Sequence, residues 1–290
     1  MAGEPALVVG VVGAAGNTGR QAVAELIRRG VPVRAVVRRP EQAALAGDAI
    51  DSRVADLADE DSLAEALRGV TATLYIPPVF NEREEEFGRN VIAALEAAGC
   101  RRLVYHSVLH AATPDMPHHA RKAEVERHIR HSELEWTILQ PAMYAQTVPA
   151  FLSEDRRSLA PGFSPDKLFS PVALGDLAEA SAIVLIEPGH AFATYELAGP
   201  DRLSFKELAA AMSKAWGHPV SVRAVPVSET VAAVSCRLNF DEKAAEILRL
   251  MLEHYDRHGL VGNSNVLRML IGREPTRVDD LFHRMKAADA

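Results

Sequence analysis

One stretch near the start limits what this chain can fold into. The apolar run ALVVGVVG (6–13) ends in glycine and continues as AAGNTGR (14–20), so that Gly13, Gly16 and Gly19 stand three residues apart. A short apolar run that ends in a glycine turn and passes into a helical pattern describes a buried parallel strand handing over to a helix. The helical pattern follows: Ala22, Val23, Leu26 and Ile27 share one face between Asn17 and Arg29, and Gly30 stops it. Glycine at such a turn lets the backbone come within contact distance of a diphosphate. The free N–H groups and partial positive charge of the helix N-terminus would then hold its oxygens. Gly13, Ala15, Gly16, Asn17, Thr18 and Gly19 are therefore candidate cofactor contacts.

The strand–helix rhythm repeats through the first half. VPVRAVV (31–37), RVADL (53–57), ATLYIPP (72–78), RLVYHSV (102–108) and EWTILQP (135–141) read as strands. Helical segments separate the later ones: DEDSLAEALRG (59–69), a segment with Phe87, Val91, Ile92 and Leu95 inward that stops near Gly99, and ARKAEVERHIRHS (120–132). Parallel strands need crossovers of one hand, so this order implies an α/β fold with a doubly wound parallel sheet of the Rossmann type.

After Pro141 the rhythm breaks into a proline-marked loop, then a helix over 175–189 expected to pack back on the sheet. A short strand (193–199), a helix with a capping box at Ser204 and Glu207 (204–217), a strand (220–225) and helices near 228–236, 240–258 and 276–287 complete the chain. The expected division is a dinucleotide-binding domain over 1–145, with 170–190 packed on it, and a smaller mixed α/β lobe over 146–290 that meets substrate or partner.

Bulk properties narrow the function. A formal charge of −7 over 290 residues offers no broad basic field for direct nucleic-acid binding. No apolar run approaches the ~20 residues of a membrane span, and the amino terminus lacks the basic region of a signal peptide. Cys100 and Cys236 lie far apart and read as free thiols of a reducing cytoplasm. The eleven histidines form no zinc-type spacing, so no metal is expected.

The end of the second strand chooses among dinucleotides. An NAD site asks there for an acid to accept bonds from the ribose hydroxyls, whereas this chain has Arg38 and Arg39. A guanidinium presents a planar donor fork and a fixed charge to a 2′-phosphate, which points to NADP(H). Asp56, ending the third strand, either accepts a bond from the adenine amino group with Leu57 against the ring, or is a turn acid leading into the next helix. Ile76, Pro77 and Pro78, leaving the fourth strand, are expected to line the middle of the cofactor and the mouth of the substrate site, with Val79 and Phe80 beyond them.

The stretches VVGAAGNTGR, VRAVVRRP, VADLADEDSLAEALRGV, RRLVYHSV, KAEVERHIRHSELEWTILQPAMY and FSPVALGDLAEASA, in that order, resemble the NmrA-like branch of the atypical short-chain dehydrogenase/reductases. The likeness runs through nearly the whole chain. The resemblance implies an NADP(H) site on a Rossmann sheet and two functional readings. One is an NADPH-dependent reductase acting on a small apolar acceptor, a quinone or activated carbonyl. The other is a non-catalytic NADP(H) sensor working through a regulatory protein partner. Whether the chain pairs into a homodimer is left open.

The wider superfamily uses a Tyr-x-x-x-Lys pair, and here His118 and Lys122 keep the spacing without the phenol. The resemblance implies that Lys122 holds the nicotinamide ribose. It makes Ser107, at the end of the fifth strand, the counterpart of the superfamily's serine, able to hydrogen-bond a substrate oxygen. His118 could give a proton near neutral pH. Pro141, Met143 and Tyr144 would stand beside the nicotinamide, with Tyr144 as a substitute donor.

Overall fold

In the computed structural model, which describes residues 6–46 and 50–289, strand and helix alternate as the apolar pattern demands. β1 (Val9–Val12) passes through the glycine turn into α1 (Asn17–Arg28), followed by β2 (Val33–Val37), β3 (Asp51–Val54), α2 (Glu60–Leu67), β4 (Ala72–Tyr75), α3 (Glu84–Ala97), β5 (Arg102–His106), α4 (Pro117–Arg130) and β6 (Glu135–Pro141). The second half adds β7 (Ser158–Leu159), β8 (Leu168–Phe169), α5 (Leu174–Ile186), β9 (Ala193–Leu197), β10 (Leu203–Ser204) and α6 (Phe205–Trp216). It ends with β11 (Ser221–Val222), α7 (Val227–Leu238), α8 (Glu242–His258), α9 (Asn265–Ile271) and α10 (Val278–Asp289).

Seven strands form one sheet in the order β3-β2-β1-β4-β5-β6-β9, and every pairing is parallel. β1 and β4 are buried along their whole length, and β2 and β5 at all but one residue each, which is why they read as largely apolar runs. Along β1, Val9 and Val11 point to the side covered by α1 and α5, while Val12 points to the side of α2 and α3. β5 repeats the alternation, with Val104 on the first side and Leu103 and Tyr105 on the second. The chain winds outward in both directions from β1 and β4, which leaves a crevice at the carboxyl ends of the central strands, where open α/β sheets bind ligands.

Several boundaries differ from the sequence reading. The strand near 193, assigned there to the smaller lobe, is the seventh strand of the main sheet and pairs with β6 from Thr137↔Ala193 to Pro141↔Leu197. β3 begins two residues and ends three residues earlier than read, because Asp51 and Ser52 are polar and leave no apolar signature. α4 starts at Pro117 rather than 120, since a proline in the first turn loses no hydrogen bond and has its φ preset for the helix. The capping box is present: Ser204 Oγ accepts from Glu207 N at 3.3 Å, and Ser204 N donates to Glu207 Oε2 at 2.8 Å.

The carboxy-terminal elements add two small ribbons, β8 with β10 and β7 with β11. Their aromatic centre, Phe163, Phe169, Phe205 and Tyr255, packs edge to face and joins the apolar layer on the α1/α5 side of the sheet. No helix among the described residues is long and apolar enough to cross a membrane.

Candidate active site

The loops leaving β1, β4, β5 and β6 open at one edge of the sheet and, with α4 and α8, surround a cleft of about 260 Å³. Of the residues singled out in the sequence, Thr18, Ile76, Pro77, Ser107, His118, Lys122, Pro141, Met143 and Tyr144 all line it. Pro78 lies half-buried in the same exit turn but outside the lining.

The three glycines of the first turn have different reasons. Gly13 has φ +89°, and a Cβ there would stand 2.4 Å from the carbonyl oxygen of Ile76. A Cβ on Gly19 would lie 2.3 Å from that of Gly13. Both are glycine because the turn packs backbone on backbone. Gly16 has an ordinary extended conformation (φ −70°, ψ 164°), and its Cβ would meet only Gly13 O at 3.5 Å. The fold gives no reason for glycine there. Gly16 is the N-cap of α1, no side chain caps that terminus, and Asn17 Oδ1 is engaged by Arg20 Nη2 at 2.6 Å. The first N–H groups of α1 thus face out past a residue with no side chain, the form of a diphosphate cradle.

Beyond β2, Arg38 and Arg39 are both exposed and differ in engagement. Arg39 Nε lies 2.7 Å from Glu41 Oε1. Among the described residues Arg38 has no hydrogen bond or ion pair, so its guanidinium is available to a phosphate. Asp56, an exposed residue, accepts at Oδ1 from Ala58 N at 2.9 Å, the turn-acid geometry. Leu57 O accepts from Asn90 Nδ2 at 2.9 Å. Ala15 borders a second hollow of about 160 Å³ beside Arg20, Gln42 and Ile50. These residues fit a dinucleotide with a phosphorylated ribose: an uncapped helix terminus, a glycine the packing does not need and an unpaired guanidinium.

At the other end of the cleft Lys122 is buried, and its Nζ donates to Glu84 Oε1 at 2.6 Å. Tyr105 donates to the same oxygen at 3.3 Å, and the ammonium lies 5.8 Å from the centroid of its ring. Glu84 Oε2 and His118 Nδ1, 3.9 Å apart, are both buried without a hydrogen-bond partner. Ser107 Oγ donates to Glu126 Oε1 at 2.5 Å, and Glu126 also accepts from Gln140 Nε2 and Arg130 Nη2. With its proton so held, Ser107 turns a lone pair rather than a donor toward the cleft. That alters the role read for it in the sequence.

The sequence also read His118 as a proton source, and burial argues otherwise. Desolvation first, then the charge of Lys122, holds the His118 imidazole well below its ordinary range. His106 is pushed down to about 3 by the same two causes, and His119 to about 4, mainly by burial. Tyr144, its hydroxyl 3.3 Å from His106 Nδ1, is pushed up to about 12 by burial. At neutral pH all four are uncharged.

Residues 6–283 match the NmrA-like family. The chain belongs to that family. Within reach of this NmrA-like chain, quinone oxidoreductase 2 of Escherichia coli (strain K12) is 30% identical over 277 residues, covering 93% of this chain and 95% of that protein. The structure of an NADPH-dependent quinone oxidoreductase from Escherichia coli complexed with NADPH is similar at TM-score 0.82 and 29% identity, over 96% of this chain and 99% of that one. The NADP(H) complex of a Citrobacter sp. triphenylmethane reductase is similar at TM-score 0.82 and 25% identity, over 96% and 99% of the two chains.

The NmrA-like site also contains His106 at the end of β5 and groups the sequence reading passed over: Glu84 from α3, Glu126 from α4, and Met251 and Tyr255 from α8. A signal existed for the acids. Glu84 falls in phase with the buried Phe87, Gly88 and Val91 of α3, and Glu126 in phase with Lys122 and Ile129 of α4. A charge in the inward phase of an amphipathic helix needs a buried partner.

Proposed function

We propose that this chain is an NADPH-dependent reductase that passes hydride to a small apolar electrophile, a quinone or an activated carbonyl. The observation that carries the reading is the cleft, which joins the end of the glycine turn at Thr18 to an apolar chamber walled by Val79, Phe80, Met143 and Met251. Bound NADPH supplies the hydride. The chain's share is to hold, orient and keep dry. In this reading the N-terminus of α1 at Gly16 holds the diphosphate, Arg38 the 2′-phosphate and Lys122 the nicotinamide ribose. Glu84 fixes the position of the Lys122 ammonium. The apolar wall takes a flat acceptor and excludes water. The free thiols Cys100 and Cys236 support a reducing, cytoplasmic compartment.

The electrostatics favour a quinone over an ordinary ketone. An acceptor that becomes a localised alkoxide needs a proton at once, and none of the four neutral groups is poised to give one near neutrality. A quinone spreads the added charge over its ring and takes its proton later from water. Turnover is read as loss of reduced-nicotinamide absorbance against a panel of quinones. NADPH binding without turnover on any acceptor would assign the chain to the sensor reading, with its regulatory protein partner.

The pH dependence has a definite sign. Histidines whose folded pKa lies below 6.5 shed their protons well on the acid side, about 3 for His106 and about 4 for His119, and stay neutral above. Tyr144 keeps its proton until about 12. The kcat/KM for a quinone is therefore expected to be flat from about pH 5 to about pH 9. A step centred near 6.5 would mean that an imidazole titrates in the working enzyme, contrary to this reading.

Arg38 carries the choice of nucleotide. Replacing it with alanine is expected to weaken NADPH binding roughly tenfold to a hundredfold, the worth of a charge-assisted bond, and to leave NADH unchanged. A fluorescence titration with both nucleotides measures this. An equal loss for the two would remove the 2′-phosphate from its role.

A further inference from the structure

Outside the cleft lining, three ligating side chains meet where the loop before α4 touches α8. His254 and His258 stand four residues apart on α8, their ring centroids 4.7 Å from each other. Asp115, 139 residues earlier in the chain, has Oδ2 2.8 Å from His254 Nδ1. One donor atom from each of the three lies within 4.8 Å of the others. Neither nitrogen of the exposed His258 has a hydrogen bond among the described residues.

We propose that Asp115, His254 and His258 form a site for one divalent transition-metal ion of the zinc class. Residues four apart on a helix face the same way, so the two imidazoles converge without any change of backbone. Ligand bonds of about 2.0–2.1 Å put the donors of a tetrahedral ion about 3.3 Å apart, so donors within 4.8 Å need to close by at most about 1.5 Å. Asp115 and His258, both exposed, cover that by rotation. The ion replaces the proton shared by His254 and Asp115 and recruits His258, which leaves a fourth position for water. Two imidazoles and one carboxylate suit Zn²⁺, Ni²⁺ or Co²⁺ and disfavour Mg²⁺ and Ca²⁺. Arg257 Nη2, 3.8 Å from Asp115 Oδ2, is a nearby charge that opposes a cation.

The position gives the site a consequence. α8 supplies Met251 and Tyr255 to one wall of the cleft, and the loop holding Asp115 leads into the turn of α4 that bears His118 and His119 on another. An ion bound to both elements fastens the two walls together far more firmly than the single hydrogen bond.

Untagged protein, stripped with chelator and dialysed, is titrated with Co²⁺ by visible absorbance and with Zn²⁺ by calorimetry. The expected result is one ion per chain, with ligand-field bands that Zn²⁺ displaces and no response to Mg²⁺. His258→Ala and Asp115→Asn should each weaken binding at least about tenfold, while Arg257→Ala, which removes the opposing charge, should tighten it. Affinity unchanged in both ligand variants, weaker binding in Arg257→Ala, or an equal response to Mg²⁺ would each overturn the site.

Discussion

Alanine in place of Gly16 is expected to leave the protein folded and to take away its cofactor. The backbone at Gly16 is in a conformation that any residue adopts, and the added methyl meets only Gly13 O at 3.5 Å, an ordinary contact. Stability should therefore stay within about 0.5 kcal/mol of the parent. If a diphosphate lies against this position, the methyl occupies its place, and NADPH affinity should fall roughly tenfold to a hundredfold, the cost of overpacking a close contact. Gly19→Ala is the contrast. Its Cβ would lie 2.3 Å from Gly13 O and 2.8 Å from Ala14 Cα, both backbone atoms that cannot rotate away. That variant should lose stability as well as cofactor. Thermal melts and a fluorescence titration on the two proteins separate packing from binding. A Gly16→Ala protein that binds NADPH like the parent would place the diphosphate elsewhere.

This pair of glycines also shows what a sequence can and cannot reveal. The spacing of Gly13, Gly16 and Gly19 between a strand and a helix locates the turn, because strand burial and helix phase are local patterns. It cannot say which glycine serves the fold and which serves the ligand, since that depends on Ile76, sixty-odd positions away and packed from the neighbouring strand. The strand at 193 was legible, but its place in the main sheet was not, for the same reason. Its first four residues alternate between half-buried and exposed, as an edge strand does, before the buried Leu197, and nothing in them names β6 as partner. Pro117 hid the start of α4 because proline marks a loop and a helix's first turn equally well. Asp115 and the two histidines of α8 belong to no motif, since the ligand spacing exists only after the loop has folded against the helix.

Glu84 is the most instructive omission. It opens α3 as the first of three successive acids, a position where the helix dipole favours any acid. Only its phase with Phe87 and Val91 distinguishes it from Glu85 and Glu86, and its partner Lys122 lies 38 residues on in another helix. Phase reveals that a charge is buried. Tertiary contact alone reveals what neutralises it.

The Glu84–Lys122 pair yields the second large expected effect. Glu84→Gln leaves a buried ammonium without its counter-ion, which should cost roughly 3–5 kcal/mol, a large fraction of the 5–15 kcal/mol that typically holds a domain together. Lys122→Met leaves a buried carboxylate with only the Tyr105 hydroxyl and should be comparably destabilising. The double variant, Glu84→Gln with Lys122→Met, removes both charges together and should recover most of the lost stability, because the desolvation of two ions disappears with their attraction. Recovery of function separates the two roles of the lysine. If Lys122 also holds the nicotinamide ribose, the double variant folds but binds NADPH weakly and turns over slowly. Urea unfolding measures the first property and NADPH oxidation the second. A double variant as active as the parent would make the pair a packing device, and the grip on the cofactor would have to come from the α1 terminus and Arg38.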